Sequence, residues 1–285
     1  MKSIAELTFG FNDAREYLKP ESRPLLAKFF LADDNLALLT EPQRYFLIGE
    51  KGTGKTAYAA YLSTSQYRNF AGHTTFIQQV DYLTMRSLAE EHELKDQDFV
   101  SNWELILLAI AFQKMTKDKA TFTVKTPSVF AAAKAILDRL ALADDSPLGD
   151  MFELLRNSKE AIEVVNEHMK DEPDGRTYSG HGDFRRNVKS LRQFFFTAIA
   201  SIEPQFYNLV FVDGIDVRPS NAPFAEYMVI VKSLVNAIWV LNSERLSTLR
   251  ERHLRLVLLI RPDILEGVSL HNLGNKIRDN SVVLD

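Results

Sequence analysis

The sequence predicts an α/β fold, a parallel sheet covered on both faces by helices. Three observations predict it. Short runs rich in Val, Ile, Leu and Phe, bounded by turn residues, read as strands at residues 45–49 (YFLIG), 75–80 (TFIQQV), 209–213 (LVFVD), 256–261 (LVLLIR) and 282–284. Runs that are apolar at successive positions are buried on both faces, as parallel strands under helices are. Between the runs lie long stretches whose apolar residues recur at helical spacing.

The first run ends in a glycine-rich turn, and residues 57–62 begin a good helix. From Tyr82 to Asn208, 127 residues then separate the second strand from the third, far more than one crossover helix needs. This predicts a large all-helical insertion between the second and third core strands. Its helices are expected at residues 102–115, 127–142 (with the Ala-rich AAAKAILDRLAL), 151–169 and 184–202. Residues 171–183 (DEPDGRTYSGHGD), with three Gly and one Pro, read as a loop and the best candidate for local disorder. After the third strand, Phe224, Tyr227, Met228, Val231, Leu234, Val235, Ile238, Trp239 and Leu241 mark a long amphipathic helix whose aromatic stripe is read as core. The expected division is residues 1–84 for the N-terminal segment and first half of the core, 85–205 for the insertion, and 206–285 for the second half.

Composition narrows the function classes. Against 34 Lys and Arg stand 38 Asp and Glu, a formal net charge of −4, so no charge excess is available to coat a phosphate backbone. Hydrophobic residues at 46% and charged ones at 25% suit a chain with a sizeable core. The absence of cysteine excludes disulfides, thiolate metal sites and cysteine nucleophiles, and fits a reducing cytoplasm. Residues 1–11 lack the continuous apolar core of a signal peptide. The longest strongly apolar run, residues 105–112, is eight long against the roughly 20 a bilayer requires. A cytoplasmic protein with no membrane segment is expected.

The glycine-rich turn carries the chemistry. Gly49-Glu50-Lys51-Gly52-Thr53-Gly54-Lys55-Thr56 satisfies G-x-x-x-x-G-K-[ST], follows a buried-type strand and leads through Ala57 into a helix. Glycines let consecutive N–H groups converge on phosphates, and the helix adds its positive N-terminus. Lys55 is expected to reach the β- and γ-phosphates of ATP, and the Thr56 hydroxyl to ligate Mg2+. Such a loop needs a carboxylate on a neighbouring strand for the metal, and Asp213, after four apolar residues, supplies it. Asp216 either orients or deprotonates the attacking water or caps the following turn. Arg261 ends the fourth strand at the sheet edge where ligands bind, and its planar fork either meets a γ-phosphate or pairs with Asp263 or Asp216.

These residues resemble the additional-strand class of P-loop NTPases, and within it the bacterial KAP-like and STAND-like ATPases. The resemblance rests on FGFNDA (residues 9–14), the GEKGTGKT loop, VFVDGID (210–216), LIRPDIL (259–265) and the tail NKIRDNSVVLD (275–285). It implies that Phe9 and Gly10 lie near the nucleotide base and that Arg261 senses the γ-phosphate. Many members carry an acid directly after the metal-binding Asp, where Gly214 stands here. KAP proteins often carry membrane helices in an insertion, and relatives continue into a helical or winged-helix region; this chain, ending just after a strand, is expected to be truncated or to lack that part.

The expected function is a Mg2+-dependent ATPase that uses its ATP or ADP state as a conformational switch. The resemblance suggests bacterial defence or DNA metabolism, with an effector protein, DNA or a second copy of the chain as partners. The alternatives are a small-molecule P-loop kinase and an ATP-binding module that recruits an effector without turnover. Among weaker signals, His181 to Asp183 with Arg185 and Arg186 read as a solvated loop. Arg245, Arg250, Arg252 and Arg255 read as a salt-bridged helix face that is either bland or a trans-acting or DNA-contacting one. Lys276 and Arg278 lie where oligomeric relatives place a residue that reaches a neighbour's nucleotide.

Overall fold

The protein is described from a computed structural model, covering residues 13–65, 67–142, 146–170, 183–249, 253–267 and 274–285. Two short helices, α1 (Arg23–Phe29) and α2 (Asp34–Leu39), precede strand β1 (Phe46–Gly49), helix α3 (Lys55–Thr64) and β2 (Phe70–Phe76). Helices α4 (Gln79–Glu91) and α5 (Asp96–Met115) follow, then β3 (Phe122–Val124), α6 (Pro127–Arg139), α7 (Glu153–Arg156), α8 (Ser158–Met169), α9 (Phe184–Ala200) and β4 (Ile202–Pro204). The remainder is β5 (Tyr207–Asp213), α10 (Phe224–Val240), β6 (Leu254–Ile260), α11 (Pro262–Gly267), α12 (Gly274–Asp279) and β7 (Ser281–Leu284).

Five of these strands form one parallel sheet in the order β2-β5-β6-β1-β7. Side-chain alternation gives the sheet two buried faces. Leu47, Leu209, Phe211, Val257 and Leu259 point to the side covered by Leu36 and Leu39 of α2 and by Tyr58, Ala59 and Leu62 of α3. Their neighbours Phe46, Ile48, Val210, Val212, Leu256, Leu258 and Ile260 point into the larger core with α5 and α10. Helix α5 is apolar all round because it is enclosed: residues 105–112 and Trp103 have no exposed area. The α/β class with a parallel sheet flanked by helices is thus as expected.

Four expectations change. The second strand is β2, five residues upstream of the expected start: within 75–80 only Thr75 and Phe76 are strand, and Gln79 and Val80 already belong to α4. The FIQQV run misleads because Ile77 is buried just past the strand, whereas Val80 is exposed. Next, residues 85–205 are not all helix, since β3 and β4 pair antiparallel as a small separate ribbon. Third, the expected arginine helix does not exist as such: Arg245 closes a π-helical turn after α10, Arg255 lies in β6, and Arg250 and Arg252 fall outside the described residues. Finally, Phe224–Thr248, 25 residues, is long and apolar enough by composition to cross a membrane; here its α10 portion packs against α5 and β6, with Val231, Leu234, Val235 and Ile238 fully buried. Of the loop expected at 171–183, only Asp183 is among the described residues, as the N-cap of α9.

One half-buried group links this sheet to pH. His73 on β2 donates from Nε2 to Asn208 Oδ1 on β5 at 3.0 Å, and burial holds its imidazole below the usual value of 6.5. The unfolded chain therefore binds a proton that the folded chain resists, so stability present above pH 6.5 is lost as pH falls toward the folded value. Urea titrations at pH 7.5 and 5.5 are expected to show this loss, and His73→Gln to reduce it.

Candidate functional site

The loop between β1 and α3 is shaped by glycine. Gly52 and Gly54 adopt φ of 96° and 92°, left-handed values that side chains disfavour, and Gly54 is the N-cap of α3. Its carbonyl accepts from Ala57 N at 2.7 Å and Tyr58 N at 3.1 Å, which starts the helix directly after the curl. The first N–H groups of α3 have no carbonyl one turn back and point toward the loop mouth.

Lys55, in the first turn, is buried and folds back over the loop: its Nζ donates to the carbonyls of Gly49 at 2.6 Å and Glu50 at 2.9 Å. Burial pushes its ammonium below the usual lysine value, opposed by the charges of Asp216 and Asp213 and reinforced by that of Arg261. These four sequence-predicted residues therefore share one electrostatic neighbourhood. Thr56, the next residue, donates from its hydroxyl to Asp213 Oδ2 at 2.7 Å across 157 residues of chain. The other oxygen, Oδ1, accepts from Gly214 N at 2.7 Å. Asp213 is buried at the end of β5, and burial raises its carboxyl above the usual range despite those two hydrogen bonds. A buried carboxylate against a threonine hydroxyl is a hard-oxygen pair of the kind Mg2+ takes from a protein when phosphates supply the rest. Among the described residues no three His, Asp or Glu side chains converge into a fuller metal cage.

The backbone at Gly214 leaves no room for a side chain. Its φ is 96°, and a Cβ there would lie 2.4 Å from the Ile77 carbonyl oxygen, which belongs to the segment hydrogen-bonded to the end of β5 through Ile77 N and Asp213 O at 2.7 Å. No side chain, acidic or otherwise, fits. Gly214→Ala is expected to destabilise by roughly 2 kcal/mol or more, from left-handed strain plus the backbone clash, read as a lower urea midpoint at unchanged m.

The turn beyond Gly214 is held from below by the buried Tyr227 of α10, whose hydroxyl donates to the Ile215 carbonyl. Asp216 sits half-buried in this turn, and its carboxylate accepts no hydrogen bond among the described residues, so it is not the turn cap. Arg261, directly after β6, meets Asp263 through Nε at 3.0 Å and Nη2 at 2.5 Å. Of the alternatives the sequence left open for Arg261, the structure displays the Asp263 pair.

Sequence reasoning missed Arg15. Asp13 caps a short 3-10 helix, Ala14–Leu18, that packs on α3, and this places the Arg15 guanidinium 4.5 Å over the Phe76 ring, where its charge weakly opposes the rise that burial imposes on the Asp213 carboxyl. The only signal was its position after the FGFNDA segment. Phe9 and Gly10 themselves lie outside the described residues, as do His181 and Gly182. Arg185 pairs with Asp98 at 3.1 Å, and Arg186 with Asp183 at 3.7 Å. Lys276 of α12 lies 5.0 Å from the centre of the Trp239 ring, a packing role, while Arg278 is exposed on the same helix. Comparison with protein-family models, curated proteins and solved structures finds no match to this chain.

Proposed function

We propose that the chain is a Mg2+-dependent ATP-binding and hydrolysing P-loop ATPase of the additional-strand class, of the KAP-like and STAND-like kind. The observation that carries this reading is the Thr56 to Asp213 contact at the C-terminal edge of the sheet. Helix α3 follows β1 and Asp213 ends β5, and β6 lies between those two strands, which is the additional strand the class is named for. The sheet order therefore supports what the motif alone suggests.

In this mechanism the loop amides and Lys55 hold the β- and γ-phosphates, so Lys55 exchanges its bonds to Gly49 and Glu50 for phosphate oxygens. Bound Mg2+ would supply charge neutralisation of the phosphates, held by Thr56 and Asp213. Asp216, free of a capping role, orients the attacking water and accepts its proton. Arg261 exchanges Asp263 for the γ-phosphate, an anion that ADP lacks, and that exchange makes nucleotide state a switch.

A second reading, an ATP-binding module without turnover, is favoured by Gly214, which removes the acid many relatives carry there. One experiment separates the two. Purified protein with Mg2+ and ATP is expected to release phosphate, with Asp216→Asn slowing release about 100-fold or more while nucleotide affinity stays near wild type. Tight ATP binding with no phosphate release would instead establish the binding module; absence of ATP binding would end both readings.

A further inference from the structure

Asp216 lies in a turn that does little to hold itself. Among the described residues one backbone bond closes it, from Val217 N to the Gly214 carbonyl at 3.3 Å, beyond the usual range for such a bond. What fixes the turn comes from two helices. On one side the Ile77 carbonyl, just before the Gln78 cap of α4, approaches Gly214 so closely that no Cβ fits. On the other side the Tyr227 hydroxyl of α10 donates to the Ile215 carbonyl. That carbonyl and Asp216 N belong to one planar peptide, so the bond to Tyr227 sets the plane from which the Asp216 side chain departs.

Tyr227 is a rigid support. It is 2% exposed, four residues into α10, and its ring centre lies 6.0 Å from that of Tyr82 on α4. Packing alone would be served by phenylalanine, since a buried hydroxyl costs desolvation unless it finds a partner, and here the partner is the turn. Burial, followed by the charge of Asp216, pushes the phenol above its usual value of 10.0, so it stays a donor through neutral pH. The charges of Arg261 and Asp263 reach the same hydroxyl, which places it among the candidate residues of the site.

We infer that Tyr227 is a positioning residue for Asp216: its hydroxyl fixes the Ile215–Asp216 peptide, and through it the point at which the carboxylate meets the attacking water. The inference rests on the ATPase reading. In that reaction the water oxygen bonds to the γ-phosphorus as the bond to the departing ADP oxygen breaks, and the water proton passes to Asp216; Tyr227 keeps its own proton throughout. Asp216 takes no hydrogen bond among the described residues, so its backbone is what aims it. A displacement of about 1 Å in such a group can cost about 100-fold in rate.

The test is phosphate release by wild type, Tyr227→Phe, Asp216→Asn and the double variant, beside the affinity of each for a non-hydrolysable ATP analogue and a thermal melt. Tyr227→Phe is expected to lower kcat by about 10- to 100-fold with the analogue's Kd within about 3-fold of wild type. In the Asp216→Asn background the same change should cost less than about 2-fold, because the hydroxyl acts through that carboxylate. A purely structural role would lower the melting temperature and reduce turnover alike in both backgrounds. Asp216→Glu leaves the core untouched and tests the same point even if Tyr227→Phe does not fold: a carboxylate carried one methylene past a fixed turn should stay about 10-fold or more below wild type. Unchanged kcat in a folded Tyr227→Phe protein, an equal loss in the Asp216→Asn background, or wild-type turnover by Asp216→Glu would each overturn the inference and leave the ATPase reading standing. No phosphate release by wild type would overturn both.

Discussion

Lys55→Ala is expected to lose ATP binding by at least about 100-fold and turnover to background, while the fold survives. Among the described residues Lys55 donates only to the carbonyls of Gly49 and Glu50, and both are in the loop it serves. Removing it releases a buried ammonium whose charged form the protein disfavours, so the ligand-free fold loses little. What it loses is the cation that meets phosphate. One charge-assisted hydrogen bond is worth about 1.5–3 kcal/mol in binding, and an electrostatic contact that strengthens in the transition state is worth about 100- to 1000-fold in rate. Titration with a fluorescent ATP analogue, a phosphate-release assay and a thermal melt of the same sample check the three parts. Wild-type affinity in a folded Lys55→Ala protein would mean that the loop does not hold phosphate.

How legible each part was follows from how local its cause is. The loop could be read because its glycines, lysine and threonine act through the backbone they occupy; the structure places Gly52 and Gly54 at the positive φ their identity permits. Strands β1, β5 and β6 were legible because they are buried almost throughout on both faces and their composition carries the signal alone, and β7, at the sheet edge with Val283 exposed, was legible from its short apolar run. Strand β2 was misplaced because it pairs only with β5 at the sheet edge, and its residues are mostly half-buried, so FAGHTTF carries no apolar run. Arg255 was read as helix surface because charge normally marks exposure; its neighbours on β6 are all buried, and tertiary packing overrode the prior. Arg15 and the Gly214 clash were illegible for a different reason, since each depends on a segment remote in sequence, Phe76 and Asp213 in one case and Ile77 in the other.

Asp213→Asn separates function from folding most sharply. Burial raises the Asp213 carboxyl, so above its folded value the protein holds a carboxylate in surroundings that favour the neutral acid. The sign follows from the linkage: a folded value above the unfolded one means that charging this group opposes folding at neutral pH. Asparagine keeps the shape, keeps an oxygen for Gly214 N, and offers an amide N–H to the Thr56 hydroxyl in place of the 2.7 Å bond that the hydroxyl now donates. The neutral variant is therefore expected to melt no lower than wild type without ligand. With Mg2+ and ATP the order reverses, because the variant has lost the charge that binds the metal, and turnover falls by about 100-fold or more. Wild type then gains stability from ligand by mass action, about 2.7 kcal/mol at a hundredfold excess over its Kd, while Asp213→Asn gains much less. Melting curves of both proteins, apo and with Mg2+ and ATP, measure the crossing. A variant that melts lower without ligand and still gains as much as wild type from Mg2+ and ATP would make Asp213 a structural residue and remove the metal side of the site.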